Sequence, residues 1–165
     1  TDSLGMAQRG GSVTSHVRMA EKVYSPMISQ GSADFLMSYE PLEALRSSAI
    51  LKAGGVAIVD SAAVYPLSVT VGGYHYPTVD EVKEYLSHIT SQAHILPAME
   101  MATELGNARA SSVLCLGFLS AFLDIPESIW LDEIRSHLPP RVHEVNIAAF
   151  RAGVEAAGRR LKEGN

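Results

Sequence analysis

The sequence predicts one α/β domain over residues 1–165, with a mostly parallel sheet flanked by helices and a helix-rich C-terminal half. Two patterns lead to this prediction. Short, continuously apolar segments such as residues 56–59 have the composition of parallel strands that are covered on both faces. In the first half they alternate with segments of helical periodicity, which is the order of strand–helix–strand units. The second half carries almost only helical patterns.

The first long pattern is the strict alternation of residues 13–19, which predicts a strand with one packed face and one polar, cationic face. We expect the packed face to consist of Val13, Ser15, Val17 and Met19. The polar face then carries Thr14, His16 and Arg18. Because side chains two residues apart on a strand lie roughly 7 Å from each other, His16 and Arg18 can approach one anionic group.

The next segments predict a strand–helix–strand unit. Residues 33–39 are short and mostly apolar, and Pro41 then opens a helix that runs to residue 50. Gly54 is expected to end this helix as a left-handed cap. Residues 56–59 then form a central strand of the sheet.

Helical patterns dominate from Thr78 onward. Thr78 is expected to cap an amphipathic helix whose apolar side consists of Val82, Tyr85, Leu86 and Ile89. Residues 94–96 predict one more short strand, and the remaining helices are predicted at 97–105, 107–123, 126–138 and 141–162. The 107–123 segment is apolar almost all round, so we expect it deep in the core or at a subunit interface.

Composition and charge exclude several classes of protein. A hydrophobic fraction of 47% indicates a folded chain, and a net charge of −5 without a basic block argues against nucleic-acid and membrane-surface binding. Cys115 is the only cysteine, so the chain has no internal disulfide and no cysteine cluster for an iron–sulfur or zinc site. The histidines show no metal-ligand spacing. These features predict a protein of the reducing cytoplasm.

The candidate binding site is the turn Arg9-Gly10-Gly11-Ser12, which directly precedes the alternating segment. Paired glycines permit positive φ, and successive backbone N–H groups can then converge on an anion. Arg9, His16 and Arg18 are the candidate catalytic residues around it. The alternatives are a plain tight turn and a solvated strand face. Glu40 is a weaker candidate at the end of a strand, where it can equally cap the following helix.

A family resemblance rests on several segments in a fixed order. The first is GMAQRGGSVTSHVR at residues 5–18, followed by VYSP. The others are EPLEALR at 40–46, LKAGG at 51–55, ELGNARA at 104–110 and EVNIAAF at 144–150. Together they cover most of the chain. In this respect the sequence resembles the gamma-type chains of 2-oxoacid:acceptor oxidoreductases, and among them the beta subunits of indolepyruvate:ferredoxin oxidoreductases. The resemblance implies a Rossmann-like fold.

The resemblance also implies an activity that needs a partner. The reaction is the CoA-dependent oxidative decarboxylation of a 2-oxoacid, here an arylpyruvate such as indolepyruvate, with ferredoxin as electron acceptor. Thiamine diphosphate, Mg²⁺ and [4Fe–4S] clusters are expected on a catalytic alpha subunit, in a heterodimer or larger complex. This chain has one cysteine and lacks a Gly-Asp-Gly segment for a diphosphate. Residues 9–12 are then expected to contact CoA or a diphosphate.

Two other functions remain open from the sequence. The chain can be a free-standing Rossmann-like module that binds CoA or a nucleotide, or a purely structural subunit. Self-association through residues 107–123 is a further alternative. Members of the family open with a glycine-rich strand–turn–helix unit that the sequence ahead of Thr1 does not supply, so no nucleotide-type phosphate loop is expected within these residues.

Overall fold

A computed structural model describes residues 2–4, 13–65, 72 and 75–163 of the chain. The main sheet has three parallel strands in the order β3–β4–β5. These strands are Ala33–Ser38, Leu51–Asp60 and Ala93–Leu96. A separate antiparallel pair joins β1 (Asp2–Leu4) to β2 (Val13–Ser15).

The helices are α1 (Pro41–Ser47), α2 (Val79–Ser87), α3 (Ala98–Glu104), α4 (Ser111–Ser120), α5 (Glu127–His137) and α6 (His143–Glu163). The last four form the helix-rich second half that the sequence predicted. Short 3₁₀ turns occupy Ser48–Ile50, Ala108–Ala110 and Pro140–Val142. The predicted α/β class is confirmed. Within the described ranges, no helix combines the length and the apolar character that a membrane span requires.

The central strand β4 is covered on both faces, as its continuous apolar run predicted. Ala57 and Val59 pack on one side, in a cluster with buried residues of α1 and α2. Val56 and Ile58 face the other side, where they pack with α3, α4 and α6. Strand β4 therefore lies between two layers of helices, and its carboxyl end opens at the edge of the sheet between these layers.

Gly54 does adopt the left-handed conformation, with φ +73°, but the prediction that it caps a helix is wrong. It lies inside β4, which already begins at Leu51. Leu51 is buried and pairs with Ala33, and the next pair joins Phe35 to Val56, so the register shifts between them. The extra residues form a bulge around Gly54, whose N–H donates to the carbonyl of Ile89 (3.2 Å).

The predicted strand over residues 13–19 is wrong in length and in the face that it buries. Strand β2 ends at Ser15, and the side chains of Val13, Val17 and Met19 are exposed, whereas His16 is buried. The physical reason is that the polar side chains satisfy backbone groups of the following loop. They therefore turn toward the protein, and the apolar side chains of the alternation turn outward.

The most apolar helix, α4, lies deep in the core, which confirms one of the two positions predicted for it. Phe118 is fully buried against the sheet side, and Phe150 of α6 is fully buried beside it. The backbones of α4 and α6 touch where Gly117 faces the carbonyl of Phe150 and Gly153 faces the carbonyl of Leu114. A Cβ at either glycine would overlap that carbonyl oxygen. The crossing therefore requires glycine on both helices.

We predict that Gly117→Ala and Gly153→Ala each destabilise the chain by about 3 kcal/mol, because the helices must separate to admit a methyl group. Gly158→Ala is the matched control, since it lies on the same helix α6 and its Cβ would meet no atom within 4 Å. That control should be neutral or up to about 1 kcal/mol more stable. Urea unfolding of the three variants measures the differences. Equal stability of Gly153→Ala and Gly158→Ala would show that the helices do not touch.

Helix α2 begins with the predicted cap, which is a complete capping box. The Thr78 hydroxyl accepts the N–H of Glu81 (3.2 Å), and a Glu81 carboxylate oxygen accepts the N–H of Thr78 (2.7 Å). His75 Nε2 lies 2.9 Å from the same carboxylate. The Thr78 N–H first, and then the His75 and Thr78 side chains, lower the pKa of Glu81 to about 2. Tyr85, predicted on the apolar side of α2, is exposed.

The cap gives a pH-dependent prediction. Because the pKa of Glu81 is depressed in the folded state, its stabilising effect is complete above the ordinary pKa of 4.5 and disappears as the pH falls to about 2. Glu81→Gln should therefore be less stable than the parent protein at pH 6 and equally stable near pH 2. Thermal unfolding of both proteins across this range measures the difference. A difference that does not change with pH would contradict the assignment of the cap to the ionised carboxylate.

Candidate functional site

The predicted turn Arg9-Gly10-Gly11-Ser12 lies outside the described residues. The structure does place the two other candidates, and it brings both to the loop at residues 25–28. The buried His16 accepts a hydrogen bond at Nδ1 from the N–H of Ile28 (3.2 Å). The Arg18 Nη1 group donates to the carbonyls of Ser25 (3.0 Å) and Met27 (3.2 Å). His16 and Arg18 thus hold this loop against the segment that leaves β2.

Glu40 is the N-cap of α1. One of its carboxylate oxygens accepts the N–H of Glu43 (2.7 Å), and the other accepts the hydroxyl of Tyr76. Tyr76 in turn packs edge-to-face on Tyr65, with 4.8 Å between the ring centroids. Both carboxylate oxygens of Glu40 therefore have protein partners, and the carboxylate fixes the loop after β4 to the start of α1.

Two further cationic side chains, Lys52 and Arg46, are also paired with carboxylates. Lys52 Nζ lies 2.5 Å from Asp34, and Arg46 pairs with Glu43 one turn away on α1. These pairs are exposed and therefore contribute little to stability. The Lys52–Asp34 pair lies at the amino ends of β3 and β4, at the sheet edge opposite to Glu40.

The buried charged residue that sequence analysis missed is Asp60, the last residue of β4. Its side chain is 1% exposed, and Oδ1 accepts hydrogen bonds from the N–H groups of Ala62 (3.2 Å) and Met99 (3.3 Å). Oδ2 has no hydrogen-bond partner. Burial raises the pKa of Asp60, and the backbone N–H groups oppose that shift. An acid directly after a continuous apolar run was the available signal, because such a residue ends a central strand.

A cavity of about 330 Å³ opens beside Asp60 at the carboxyl edge of the sheet. It lies between the end of β4 and the first turns of α3. It is lined by Asp60, Ser61, Ala62, Pro97, Met99, Glu100 and Thr103. The lining is acidic or neutral, so the cavity suits groups that donate hydrogen bonds and does not suit a phosphate.

A second cavity, of about 220 Å³, lies on the other side of Pro97 against the end of α6. Its charged groups are Arg159 and Arg160. Arg160 donates to the carbonyl of Ile95 (3.2 Å), and Arg159 lies 4.0 Å from Glu155. The charged side chains that line the two cavities therefore have opposite sign, and Pro97 lines both cavities.

Two further titratable side chains, the half-buried His94 and the fully buried Cys115, have pKa values that burial shifts toward the uncharged form. His94 lies against Phe118 and Phe122, with ring centroids 5.1 and 5.8 Å away. Burial, and secondarily Arg160, lowers the pKa of His94, and its buried Nε2 has no partner. Burial, and secondarily the charge of Asp60, raises the pKa of Cys115 to about 12.

These groups limit the chemistry that the described part of the chain can perform. A buried thiol with such a high pKa is a poor nucleophile at neutral pH. Among the described residues, no three His, Cys, Asp or Glu side chains gather in a way that could hold a metal ion.

We predict that the Cys115 thiol reacts with a chromogenic aromatic disulfide only as fast as the chain unfolds. A pKa of about 12 leaves a thiolate fraction of about 10⁻⁵ at pH 7, and the side chain is fully buried. The same protein in denaturing urea is the control and should react with one equivalent. Rapid, stoichiometric labelling of the native protein would contradict the burial of this thiol.

Comparison with known proteins gives matches along nearly the whole chain. Residues 1–156 match the pyruvate ferredoxin/flavodoxin oxidoreductase family. Indolepyruvate oxidoreductase subunit IorB of Thermococcus kodakarensis is 38% identical over 160 residues, which are 95% of this chain and 79% of the relative. The protein of the same name from Pyrococcus horikoshii is 35% identical with the same coverage. The crystal structure of the gamma subunit of a keto/oxoacid ferredoxin oxidoreductase from Geobacter sulfurreducens matches with a TM-score of 0.61 and 23% identity. That match covers 95% of this chain and 78% of the gamma subunit.

Proposed function

Because the chain belongs to the pyruvate ferredoxin/flavodoxin oxidoreductase family and is a subunit of a 2-oxoacid oxidoreductase, we propose that its complex acts on indolepyruvate or another arylpyruvate. The observation that carries this proposal is the identity of 35–38% to the two IorB subunits across 95% of the chain. In the proposed reaction the 2-oxoacid loses CO₂ and CoA takes the acyl group as a thioester. Two electrons pass singly to two ferredoxins, and one proton is released.

We propose that the redox cofactors lie on a partner alpha subunit. A [4Fe–4S] cluster takes four cysteine thiolates, and this chain has one cysteine, whose thiol is buried. The sequence also lacks a Gly-Asp-Gly segment for thiamine diphosphate and Mg²⁺. The chain's own residues therefore do not fit these groups. Ferredoxin as acceptor, together with a free cysteine, favours the reducing cytoplasm as the location of the complex.

The contribution proposed for this chain is an anion contact from Arg9, Gly10, Gly11 and Ser12. Converging backbone N–H groups with an adjacent guanidinium suit the carboxylate of a 2-oxoacid or the diphosphate of CoA. His16 and Arg18 would act at the base of this contact, since their hydrogen bonds to residues 25–28 fix the segment that follows the turn.

For this site we predict that Arg9→Ala lowers kcat/KM of the assembled complex by about 10- to 100-fold, because a charge-assisted hydrogen bond contributes roughly 1.5–3 kcal/mol. Gly10→Val should lower it further, since a β-branched residue does not adopt positive φ readily. Lys83→Ala, at an exposed position of α2, is the control and should leave activity unchanged. A complex with Arg9→Ala that turns over at the parental rate would leave the turn without a binding role.

The whole function is tested by separating the chain from its partner. The purified chain alone should hold no iron or thiamine diphosphate, and should not reduce a dye with any 2-oxoacid. The complex with the alpha subunit that is encoded beside this chain should reduce ferredoxin faster with indolepyruvate and CoA than with pyruvate or 2-oxoglutarate and CoA. Acid-labile sulfide in the isolated chain, or a complex that is inert on arylpyruvates, would contradict the proposal. Tight CoA binding by the isolated chain would instead favour a free-standing binding module.

A further inference from the structure

Large apolar side chains are concentrated on the surface of one short segment, residues 13–27. The described chain exposes fifteen such side chains, and six of them fall within these fifteen residues. They are Val13, Val17, Met19, Val23, Tyr24 and Met27. Val17 is 74% exposed, Met19 70% and Tyr24 85%, which are the highest values among the fifteen exposed apolar side chains. A concentration of large exposed apolar side chains in one segment points to an interaction site, whereas single exposed side chains scattered over a surface do not.

The 13–27 segment is held in one shape by hydrogen bonds that cross it. Arg18 donates to the carbonyls of Ser25 and Met27, and the Ser25 hydroxyl accepts the N–H of Met27 (3.2 Å). The buried His16 accepts the N–H of Ile28 and so fixes the end of the segment. The two halves of the segment are thus tied together by hydrogen bonds, while its large apolar side chains remain exposed. A surface that is already ordered loses less conformational entropy on binding.

We propose that this surface, the 13–27 face, is where the chain docks on the partner subunit of its 2-oxoacid oxidoreductase complex. The inference rests on the proposed function, since that function requires a partner. Area supports it, because the exposed parts of six large side chains reach several hundred Å², approaching the ~800 Å² that each partner gives to a standard interface. Aromatic and methionine side chains are also the types that interfaces enrich.

The charge of the face indicates which occupant it takes. Residues 13–27 carry Arg18, Lys22 and Glu21, a net charge of +1, whereas the whole chain carries −5. Lys22 Nζ lies 5.0 Å from the centre of the Tyr24 ring, so positive charge borders the most exposed aromatic side chain. A second copy of the chain would bring the same cations against each other. The face therefore fits a different subunit, apolar at the centre of its contact and acidic at the rim.

The test places a charge in the centre of the face and measures assembly. Val17→Asp and Met19→Asp, each in the chain co-expressed with the alpha subunit, should weaken binding of the partner by about 30-fold or more. Tyr24→Gln, a milder change at the most exposed position, should weaken it in the same direction. Ile129→Asp is the matched control, since it puts the same charge on an exposed apolar residue of α5 outside the face. Thermal unfolding of each free chain verifies that the variants fold.

The outcomes separate this inference from the proposed function. Partner binding lost in the 13–27 variants and retained in Ile129→Asp supports the face as the docking site. Parental binding by folded Val17→Asp, Met19→Asp and Tyr24→Gln overturns it, while an active complex leaves the proposed function intact. If the unmodified chain never assembles into an arylpyruvate-oxidising complex, the proposed function itself fails. A free chain that dimerises by sedimentation, and that Val17→Asp makes monomeric, overturns the inference in favour of a second copy.

Discussion

The contact between the backbones of α4 and α6 is the constraint on which the rest of the structure depends. Gly117 and Gly153 let the two helices approach until each glycine faces a carbonyl of the other helix. Helix α4 lies between α6 and the sheet. The distance between α4 and α6 therefore determines how tightly the buried residues of β4, α3, α4 and α6 pack together. The same packing shifts the pKa values of Cys115 and His94 toward the uncharged form. The strongly apolar helix α4 is therefore part of the core, and we expect binding sites on other parts of the surface.

Much of the fold could be predicted because its signals are local. The apolar run at 56–59 indicates a strand buried on both faces, and the Thr78 to Glu81 spacing indicates a capping box; the structure contains both. Gly54 was correctly identified as a left-handed residue but placed at a helix end. Its true position in a bulge depends on the pairing of Leu51 with Ala33, a contact between distant parts of the chain. A local pattern cannot reveal such a contact.

The candidate site was less predictable, for two physical reasons. Alternation over residues 13–19 establishes that two faces exist, but the buried face is decided by the loop at 25–28, which takes hydrogen bonds from Arg18 and gives one to His16. The apolar face is therefore the exposed one. Asp60 was missed because its burial arises where β4, the loop after it and α3 meet. The position of Asp60 directly after an apolar run indicates the end of a central strand, but the neighbours that bury the carboxylate come from distant parts of the chain.

In the proposed function, this chain docks on a partner subunit, and the redox cofactors lie on that partner. Hydrogen–deuterium exchange of the chain, alone and in the complex, tests this most directly because it reports the covered surface without any substitution. We expect assembly to slow exchange across residues 13–27 while the amides of α5 (Glu127–His137) are unchanged. Unchanged exchange at 13–27, with protection of another surface in an active complex, would contradict this arrangement.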